Sequence, residues 1–391
     1  MKKYLKSYYL KYFCRLPNKQ IIYIDSTPEP RKFLNSFDEL MCYLNPIEKK
    51  LSKIIVISKI PKQKIFEHNN FMFFDKNNSK FNFFNLDDKK YQKIKSSLNK
   101  YIIFNDKNED DKKNYIDYKK YHLSHSLKKE SSKFIHVSNQ FINKKKKEKL
   151  SNQNYLDLFK ESKSKSILLL GSGPNLSKFR YADFLDSDVM ICNSLVKNIN
   201  LLDILKPKYV VFSDPIFHAG PSKYAIKFRE DLSKVIDKYD PFIISNLRNS
   251  HIFSFYIKNL NTDKTIFVPD YEIGKLNYNL DKKFFVNSTN NILTLLMLPV
   301  AFNNYEKIFF AGFDGKNPKK NDYFWDHDKS VQYESELEGI KTMHPNNFER
   351  DYDDYFREHN NELDIWIKKA NEQKKELYNL TESFTSLRYL N

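Results

Sequence analysis

Two glycines in a three-residue turn, Gly171 and Gly173, directly follow an apolar run in the stretch "SILLLGSGPNLSKF". Such a turn lets backbone amides and the Ser172 hydroxyl approach a ligand without interference from a Cβ atom. The stretch is not a dinucleotide fingerprint, because Leu176 stands where the third glycine is required, and it contains no Gly-Lys-Ser/Thr of a phosphate loop. The remaining amide and hydroxyl groups are suited to the hydroxyls and ring edges of a nucleotide.

Polar residues also follow the neighbouring apolar runs, in "CNS", "FSDP", "VNSTNN" and "AGFDG". The second run ends without the acidic residue that would hold a ribose 2′-hydroxyl, which disfavours a nicotinamide cofactor. "VNSTNN" is expected to open a helix at about residue 287, whose free amides would receive an anion. The candidate nucleotide-binding residues are Gly171, Ser172, Gly173, Asn175, Asn193, Ser194, Asp214, Asn287, Ser288, Thr289 and Asp314.

Three histidines near the C-terminus, His327, His344 and His359, are candidates for a general base, because an imidazole titrates near neutral pH. His359 is preferred because it is expected directly before a helix, where the helix dipole would lower its pKa and keep it neutral. Asp364 or Glu358 could orient its ring. His344 lies in an acidic loop, where its imidazole would be held protonated and would be better suited to bind an anionic ligand.

These segments alternate with elements that must position them. Several strand-like runs are continuously apolar, which is typical of strands covered on both faces. The sequence therefore predicts an open, mostly parallel, Rossmann-like α/β sheet with helices on both faces, and a ligand beyond the carboxyl ends of its strands. The predicted strands are 166–171, 189–193, 209–214, 241–246, 265–270, 307–314 and 375–380, and the main helices are 222–238, 287–303 and 359–375.

Charge divides the chain of 391 residues into two parts of different composition. Residues 1–163 contain 36 Lys and Arg against 18 Asp and Glu, whereas residues 164–391 contain 30 against 31 and all seven glycines. We expect a basic N-terminal α/β accessory unit (1–105), a Lys-rich linker or helical connector (106–163, with a helix at 152–160) and a nucleotide-binding α/β domain (164–391). The accessory unit has strand-like runs at 20–25, 53–58, 70–74 and 100–105.

The basic part suggests an anionic partner such as a membrane surface or a polysaccharide, although a Lys- and Asn-rich background composition explains it equally well. Nucleic acid is disfavoured, because no arginine-rich patch with interleaved aromatics is present. Three scattered cysteines and the lack of a long apolar run indicate a cytoplasmic protein. Peripheral association with the inner face of an anionic membrane is the alternative location.

The C-terminal part, about residues 164–391, resembles the bacterial lipooligosaccharide sialyltransferases. The resemblance rests on "LLLGSGPNL", "CNS", "VFSDP" and "VNSTNNILTLLMLPVAFNNYEKIFFAGFD", in this order, followed by His359, a helix and "KELYNL". The same motifs are similar to the domain shared by the motility-associated Maf glycosyltransferases and the archaeal-type hydroxymethylpterin diphosphokinases.

The resemblance implies that the glycine turn, Asn193 and the turn at Ser288 bind the cytidine monophosphate of a CMP-sugar, and that His359 is the general base. Two tyrosines assist the departing phosphate in that family. Tyr323 fills one of these positions, and Gly315 stands at the other.

The expected function is therefore that of an inverting glycosyltransferase. It would transfer a sugar, with a CMP-activated nonulosonate such as sialic acid preferred, from a nucleotide-sugar donor to a glycan or lipid-linked acceptor. No metal or other cofactor is expected, because CMP leaves as a monophosphate. The alternatives are a pterin-type diphosphokinase that uses ATP and Mg²⁺, for which Asp314, Asp326 and Asp328 could hold the ion, and a non-catalytic polysaccharide-assembly protein.

Overall fold

The chain forms two compact units, Met1–Ile142 and Asn143–Asn391, in a computed structural model. No helix in the described part of the chain is both long enough and apolar enough to cross a membrane. The structure describes residues 20–25, 30–50, 53–61, 63–64, 81–85, 102–105, 115–116, 142–160, 164–271, 276–315, 330–343 and 351–390.

The first unit contains a five-stranded sheet in which every described strand is parallel to its neighbours. The strand order is β3-β2-β1-β4-β5. Strands β2 and β3 therefore lie on one side of β1, and β4 and β5 lie on the other side. The buried run Ile54–Ile57 of β2 and the buried residues Phe37–Leu44 of helix α1 contribute to its core. The elements are β1 (Gln20–Asp25), α1 (Pro30–Leu44), β2 (Lys53–Ser58), β3 (Phe81–Asn85), β4 (Ile102–Asn105) and β5 (Tyr115–Ile116).

Three of the four strands predicted in this unit are present, at Gln20–Asp25, Lys53–Ser58 and Ile102–Asn105. The predicted strand at 70–74 lies outside the described residues. The strand Phe81–Asn85 was not predicted, because its sequence, FNFFN, is neither continuously apolar nor regularly alternating.

The second unit is built on a seven-stranded parallel sheet with the order β10-β9-β8-β7-β6-β13-β14. This confirms the predicted fold class. Its strands are β6 (Ser166–Leu170), β7 (Asp188–Cys192), β8 (Tyr209–Val211), β9 (Phe242–Asn246), β10 (Thr265–Val268), β13 (Lys307–Ala311) and β14 (Glu376–Asn379), and a separate short pair consists of β11 (Asp270–Tyr271) and β12 (Val286–Asn287).

Helices surround this sheet. The helices are α2 (Lys144–Lys160), α3 (Ile199–Leu205), α4 (Pro215–His218), α5 (Lys223–Tyr239), α6 (Ser250–Tyr256), α7 (Leu298–Asn304, preceded by a π-helical turn at Leu293–Met297), α8 (Glu334–Met343) and α9 (Tyr352–Glu372). On one face, Ile167 and Leu169 of β6 pack in a buried cluster with residues of α2, α7 and α9. Leu168 and Leu170, which alternate with them, are also fully buried, so the other face is covered as well.

Helix α2 packs on the edge strand β10. The Ser151 hydroxyl accepts a hydrogen bond from Phe267 N at 2.9 Å, and the Asn154 amide donates to the carbonyls of Thr262 and Thr265 at 2.7 and 3.0 Å. Tyr155 is completely buried. The helix therefore belongs to the core of the second unit, although it lies in the segment that the sequence assigned to a connector.

Candidate functional site

The carboxyl ends of the seven parallel strands meet at one edge of the sheet. The chain leaves β6 to build one side of the sheet through β10, and returns on the other side at β13, so β6 and β13 flank the switch point. Ligands of open α/β sheets bind outside the strand ends at such a point. The turns at Gly171 and Gly312 follow these two strands, which places them at the expected position.

The two turns contact each other closely through glycine. Gly171 N donates to Ala311 O at 2.9 Å, and Gly173 N donates to Gly312 O at 2.8 Å. A Cβ atom on Gly171 would lie 2.4 Å from Gly312 O, and one on Gly312, which has φ +72°, would lie 2.5 Å from Gly171 O. The glycines are therefore required by this turn-to-turn contact, and the amides of Gly171 and Gly173 are used within the protein.

Asp314 lies beside the glycine turn and is 4% exposed. Its Oδ2 accepts from Asn175 N at 2.8 Å, while its Oδ1 is buried without a hydrogen-bond partner. Burial raises the pKa of this carboxyl to about 6, against the lowering effect of the Asn175 hydrogen bond. A Cβ atom on Gly173 would lie 2.6 Å from Oδ1, so glycine is also needed to admit this carboxylate.

The next strand ends contribute residues of different accessibility. Asn193 is half-buried and has φ +50°, a left-handed conformation that Asn tolerates better than most side chains. Ser194 is only 3% exposed. Asp214 begins helix α4, where its side chain accepts from Ile216 N at 2.9 Å. Asn193 and Asp214 are therefore half-buried, whereas Ser194 is buried, and Asp214 has at least one structural role.

The segment "VNSTNN" differs from its prediction. Asn287 belongs to β12, and its Oδ1 accepts from Asn277 N at 2.8 Å. Ser288 N donates to Tyr271 O at 2.9 Å. The helical conformation starts at Leu293, whose amide is capped by Asn291 Oδ1 at 2.9 Å. The expectation that residue 287 opens a helix with free amides is therefore wrong, because these residues form a strand and a turn instead.

This turn nevertheless lies at the same edge as the glycine turn. Strand β11 follows β10 after one residue, and Val286 N donates to Pro269 O at 2.8 Å, so β12 lies beyond the carboxyl end of β10. Ser288 is half-buried, and Thr289 is 8% exposed. The turn from Asn287 to Asn291 is called the asparagine turn below.

His359 lies within helix α9 and not before it. The helix begins at Tyr352 and is capped by Asp351, whose side chain accepts from the amides of Asp353 and Asp354. His359 is 6% exposed, and its Nδ1 has no hydrogen-bond partner. Burial, not the helix dipole, lowers its pKa to about 4. The pKa is lowered, in the direction that was predicted, but the cause is burial and not a position at the start of a helix.

Neither proposed orienting carboxylate bonds to Nδ1. Asp364 is exposed. Glu358 Oε2 accepts from Asn290 Nδ2 at 3.1 Å, so it links helix α9 to the asparagine turn.

Two further bonds connect helix α9 to this part of the chain. Asn291 Nδ2 donates to the Tyr355 hydroxyl at 3.1 Å, and Thr294 Oγ1 donates to Glu362 Oε2 at 2.7 Å. Burial, with the nearby charge of Glu358, raises the pKa of Glu362 to about 7 against the effect of the Thr294 bond. The sequence analysis missed Tyr355 and Glu362, although their spacing of four and three residues from His359 places all three on one helix face.

The remaining candidates can be placed only in part. Tyr323 and His344, and the alternatives Asp326, His327 and Asp328, lie outside the described residues.

Gly315, at the position of the family's second tyrosine, has φ +74°. A Cβ atom there would lie 2.5 Å from Thr385 Cγ2 and 2.9 Å from Phe356 Cε2, so the local packing has no room for a tyrosine.

Within the described ranges, no group of three or more His, Cys, Asp or Glu side chains is placed to hold a metal ion. The side chains that the sheet edge does bring together are amides, hydroxyls, carboxylates and one buried imidazole. They can form hydrogen bonds to a polar ligand and exchange a proton with it.

No family model matches the chain, and no curated protein does either. Among solved structures, it is similar to the apo α-2,3-sialyltransferase from Campylobacter jejuni, with 14% identity over 59% of this chain and 84% of that chain and a TM-score of 0.31. The sialyltransferase CstII from Campylobacter jejuni in complex with cytidine-5′-monophosphate has the same identity over 59% and 88% of the two chains and a TM-score of 0.30. The glycosyl transferase family 9 protein from Veillonella parvula has 10% identity over 84% and 98% and a TM-score of 0.21.

Proposed function

We propose that the second unit is an inverting glycosyltransferase that uses a nucleotide-activated sugar, with a CMP-activated nonulosonate such as sialic acid as its donor. The acceptor would be a surface glycan or a glycoconjugate. The observation that carries the proposal is the attachment of the His359 helix to the asparagine turn, through Glu358 to Asn290 and Tyr355 to Asn291. The His359 helix and the asparagine turn lie at the edge formed by the carboxyl ends of the strands, where the glycine turn also lies. We therefore expect a donor and a base to meet there.

The chemistry requires a base for the acceptor hydroxyl and hydrogen bonds for the departing phosphate. A buried imidazole with a pKa of about 4 is neutral at pH 7 and can accept a proton, but it is a weak base unless a neighbouring negative charge raises that pKa. A CMP-nonulosonate brings a phosphate and a carboxylate, whose negative charges would raise the pKa of His359 towards neutrality. An anionic sugar therefore fits this imidazole better than a neutral one.

Ligand-induced stabilisation tests the donor class. A ligand that binds the native state alone stabilises it by RT ln(1 + [L]/Kd), which is about 2.7 kcal/mol at a hundredfold excess over Kd. We expect CMP to raise the melting temperature of the full chain, and UDP, GDP and NADH to leave it unchanged. Stabilisation by ATP with Mg²⁺, and not by CMP, would favour the diphosphokinase instead.

Turnover of CMP-sialic acid, followed as CMP release with the anomeric configuration of the product determined, tests the reaction. His359→Ala should lower turnover by ~10²-fold or more while the CMP-induced thermal shift is retained, because general-base catalysis contributes mainly in the transition state. Nearly full activity of this variant would assign the base to another residue, and His344→Ala is the matched comparison.

For the first unit we propose binding to an anionic acceptor or membrane surface at the cytoplasmic side. The support is the excess of basic residues in 1–142, which contain 29 Lys and Arg against 15 Asp and Glu, since basic residues contribute about 1 kcal/mol each near an anionic leaflet. Co-sedimentation of the full chain with vesicles containing phosphatidylserine should decrease steeply with added salt. Partitioning that salt does not change would contradict this role.

A further inference from the structure

Glu362 is connected to the asparagine turn by a short chain of hydroxyl groups. Its Oε2 accepts from Thr294 Oγ1 at 2.7 Å, and Thr294 Oγ1 lies 3.0 Å from Thr289 Oγ1. Both hydroxyls also lie near the carbonyl of Asn291, at 3.4 and 3.3 Å. Glu362 is therefore linked through the single hydroxyl of Thr294 to Thr289, which is a candidate contact of the donor.

The direction of this chain depends on whether Glu362 is ionised, because each hydroxyl has a single proton to donate. An ionised Glu362 accepts the hydrogen bond of the Thr294 hydroxyl, so Thr294 can in turn accept a hydrogen bond from Thr289. A protonated Glu362 donates to Thr294 instead, and Thr294 then donates to Thr289 or to the Asn291 carbonyl. In that state Thr289 no longer donates its hydrogen bond to Thr294, and its hydroxyl can donate a hydrogen bond to a ligand instead.

The surroundings of Glu362 disfavour its negative charge. The carboxyl is largely buried, and the Glu358 carboxylate lies one turn earlier on the same helix face. The π-helical turn that packs against it, Leu293–Met297, contains no ionisable residue, and the neighbouring His359 is buried. A ligand phosphate bound at the asparagine turn would add a further negative charge to these surroundings.

We propose that Glu362 is a positioning residue of the donor site, which takes up one proton from solvent when a nucleotide phosphate binds at the asparagine turn. The proton neutralises the carboxylate and lets Thr294 donate towards the turn, so that the Thr289 hydroxyl is released to donate to the phosphate. This inference rests on the proposed function, because the phosphate is that of the CMP donor.

Calorimetric titration of the full chain with CMP measures the proton uptake directly. The observed enthalpy at about pH 7.5 is determined in buffers of different ionisation enthalpy, and its slope gives the number of protons taken up, since a group with a pKa near 7 is largely ionised there in the free protein. We expect between half a proton and one proton for the wild type. We also expect a CMP Kd that rises by up to about tenfold per pH unit above neutrality.

Glu362→Gln separates Glu362 from the titration of the CMP phosphate itself. The glutamine amide donates to Thr294 as the protonated acid does, so this variant should bind CMP at all these pH values with the affinity of the wild type at low pH, and without the excess proton uptake. Glu372→Gln is the matched control, because Glu372 lies at the far end of the same helix, in a surface ion pair with Lys369 at 2.8 Å. It should keep the wild-type uptake.

The outcomes distinguish this inference from the proposed function. Tight CMP binding with equal proton uptake in the wild type and in Glu362→Gln overturns the role of Glu362 and leaves the donor proposal in place. A tenfold loss of affinity in Glu362→Gln at acidic pH, where the wild type is protonated, also overturns it. Absence of CMP binding to the wild type at millimolar concentration overturns both.

Discussion

Substitution of Gly312 by alanine tests whether the two strand-end turns must be in contact. The new Cβ atom would lie 2.5 Å from Gly171 O, which is backbone and cannot rotate away, and 3.0 Å from Leu176 Cβ. Alanine would also have to adopt φ +72°, which costs about 1–2 kcal/mol. Relief of the overlap adds about 1–3 kcal/mol, so we expect a total loss of about 2–5 kcal/mol in the free energy of unfolding.

For a unit of this size, each kcal/mol lowers the melting temperature by roughly 2–4 °C, so the expected decrease is about 4–20 °C. Gly339→Ala is the matched control, because Gly339 lies inside helix α8 and its added Cβ atom would have no neighbour within 4 Å. That change should stabilise the helix by ~0.5–1 kcal/mol. If Gly312→Ala melts within about 2 °C of the wild type, which is less than 1 kcal/mol, the contact between the turns is not what requires glycine.

Three other predictions follow from the same unit. Deletion of residues 1–142 should leave a folded second unit, whereas deletion of 1–163 should abolish cooperative unfolding in circular dichroism, because it removes helix α2 and the buried Tyr155. The pH dependence of kcat/KM, which reports the free enzyme, should lack a limb near pH 6.5, because burial lowers the pKa of His359 to about 4; a limb there would assign the base to another group. Asp314→Asn should be more stable than the wild type by about 1–3 kcal/mol at pH 8 and nearly equal to it at pH 4. The reason is that the native pKa of Asp314, about 6, lies above its unfolded value of 3.8, so ionisation of the buried carboxyl costs stability as the pH rises. Equal denaturation midpoints of the two proteins at pH 8 would contradict this.

The sheet was predictable from the sequence because its strands are continuous apolar runs. The predicted strand at 166–171 is Ser166–Leu170, and the one at 265–270 is Thr265–Val268. Such runs are buried on both faces of the sheet. These two strands are shorter than the predicted ones only at their carboxyl ends. Because the ends of these apolar runs could be located in the sequence, the edge of the sheet that carries the candidate site could also be predicted.

Helix starts were harder to predict, because polar residues lead into them. Helix α9 begins at Tyr352 and not at residue 359, since its first two turns, "YDDYFRE", carry little apolar periodicity and the capping role of Asp351 was not recognised. Helix α2 begins at Lys144, within a lysine run that was assigned to a connector. In both helices the first turns are polar and give little indication of helix in the sequence. Tertiary packing of the later turns stabilises the whole helix, including these first turns.

The glycine turn shows why a motif and a site are different kinds of evidence. In the sequence, Gly171 and Gly173 indicate only that something approaches the backbone closely. In the structure that partner is the turn at Gly312 and Asp314, which is far away in the sequence and could not be identified before the switch point between β6 and β13 was known. The groups that point towards a ligand lie elsewhere. They are the unpaired Oδ1 of Asp314, the Glu358 carboxylate that binds Asn290 of the asparagine turn, and the Glu362 carboxylate that binds Thr294 in the π-helical turn that follows it. The positions and pKa values of these groups depend on packing between segments that are distant in the sequence. A short sequence pattern therefore predicts which edge of the sheet carries the candidate site, but it does not predict which groups are buried, charged or protonated there.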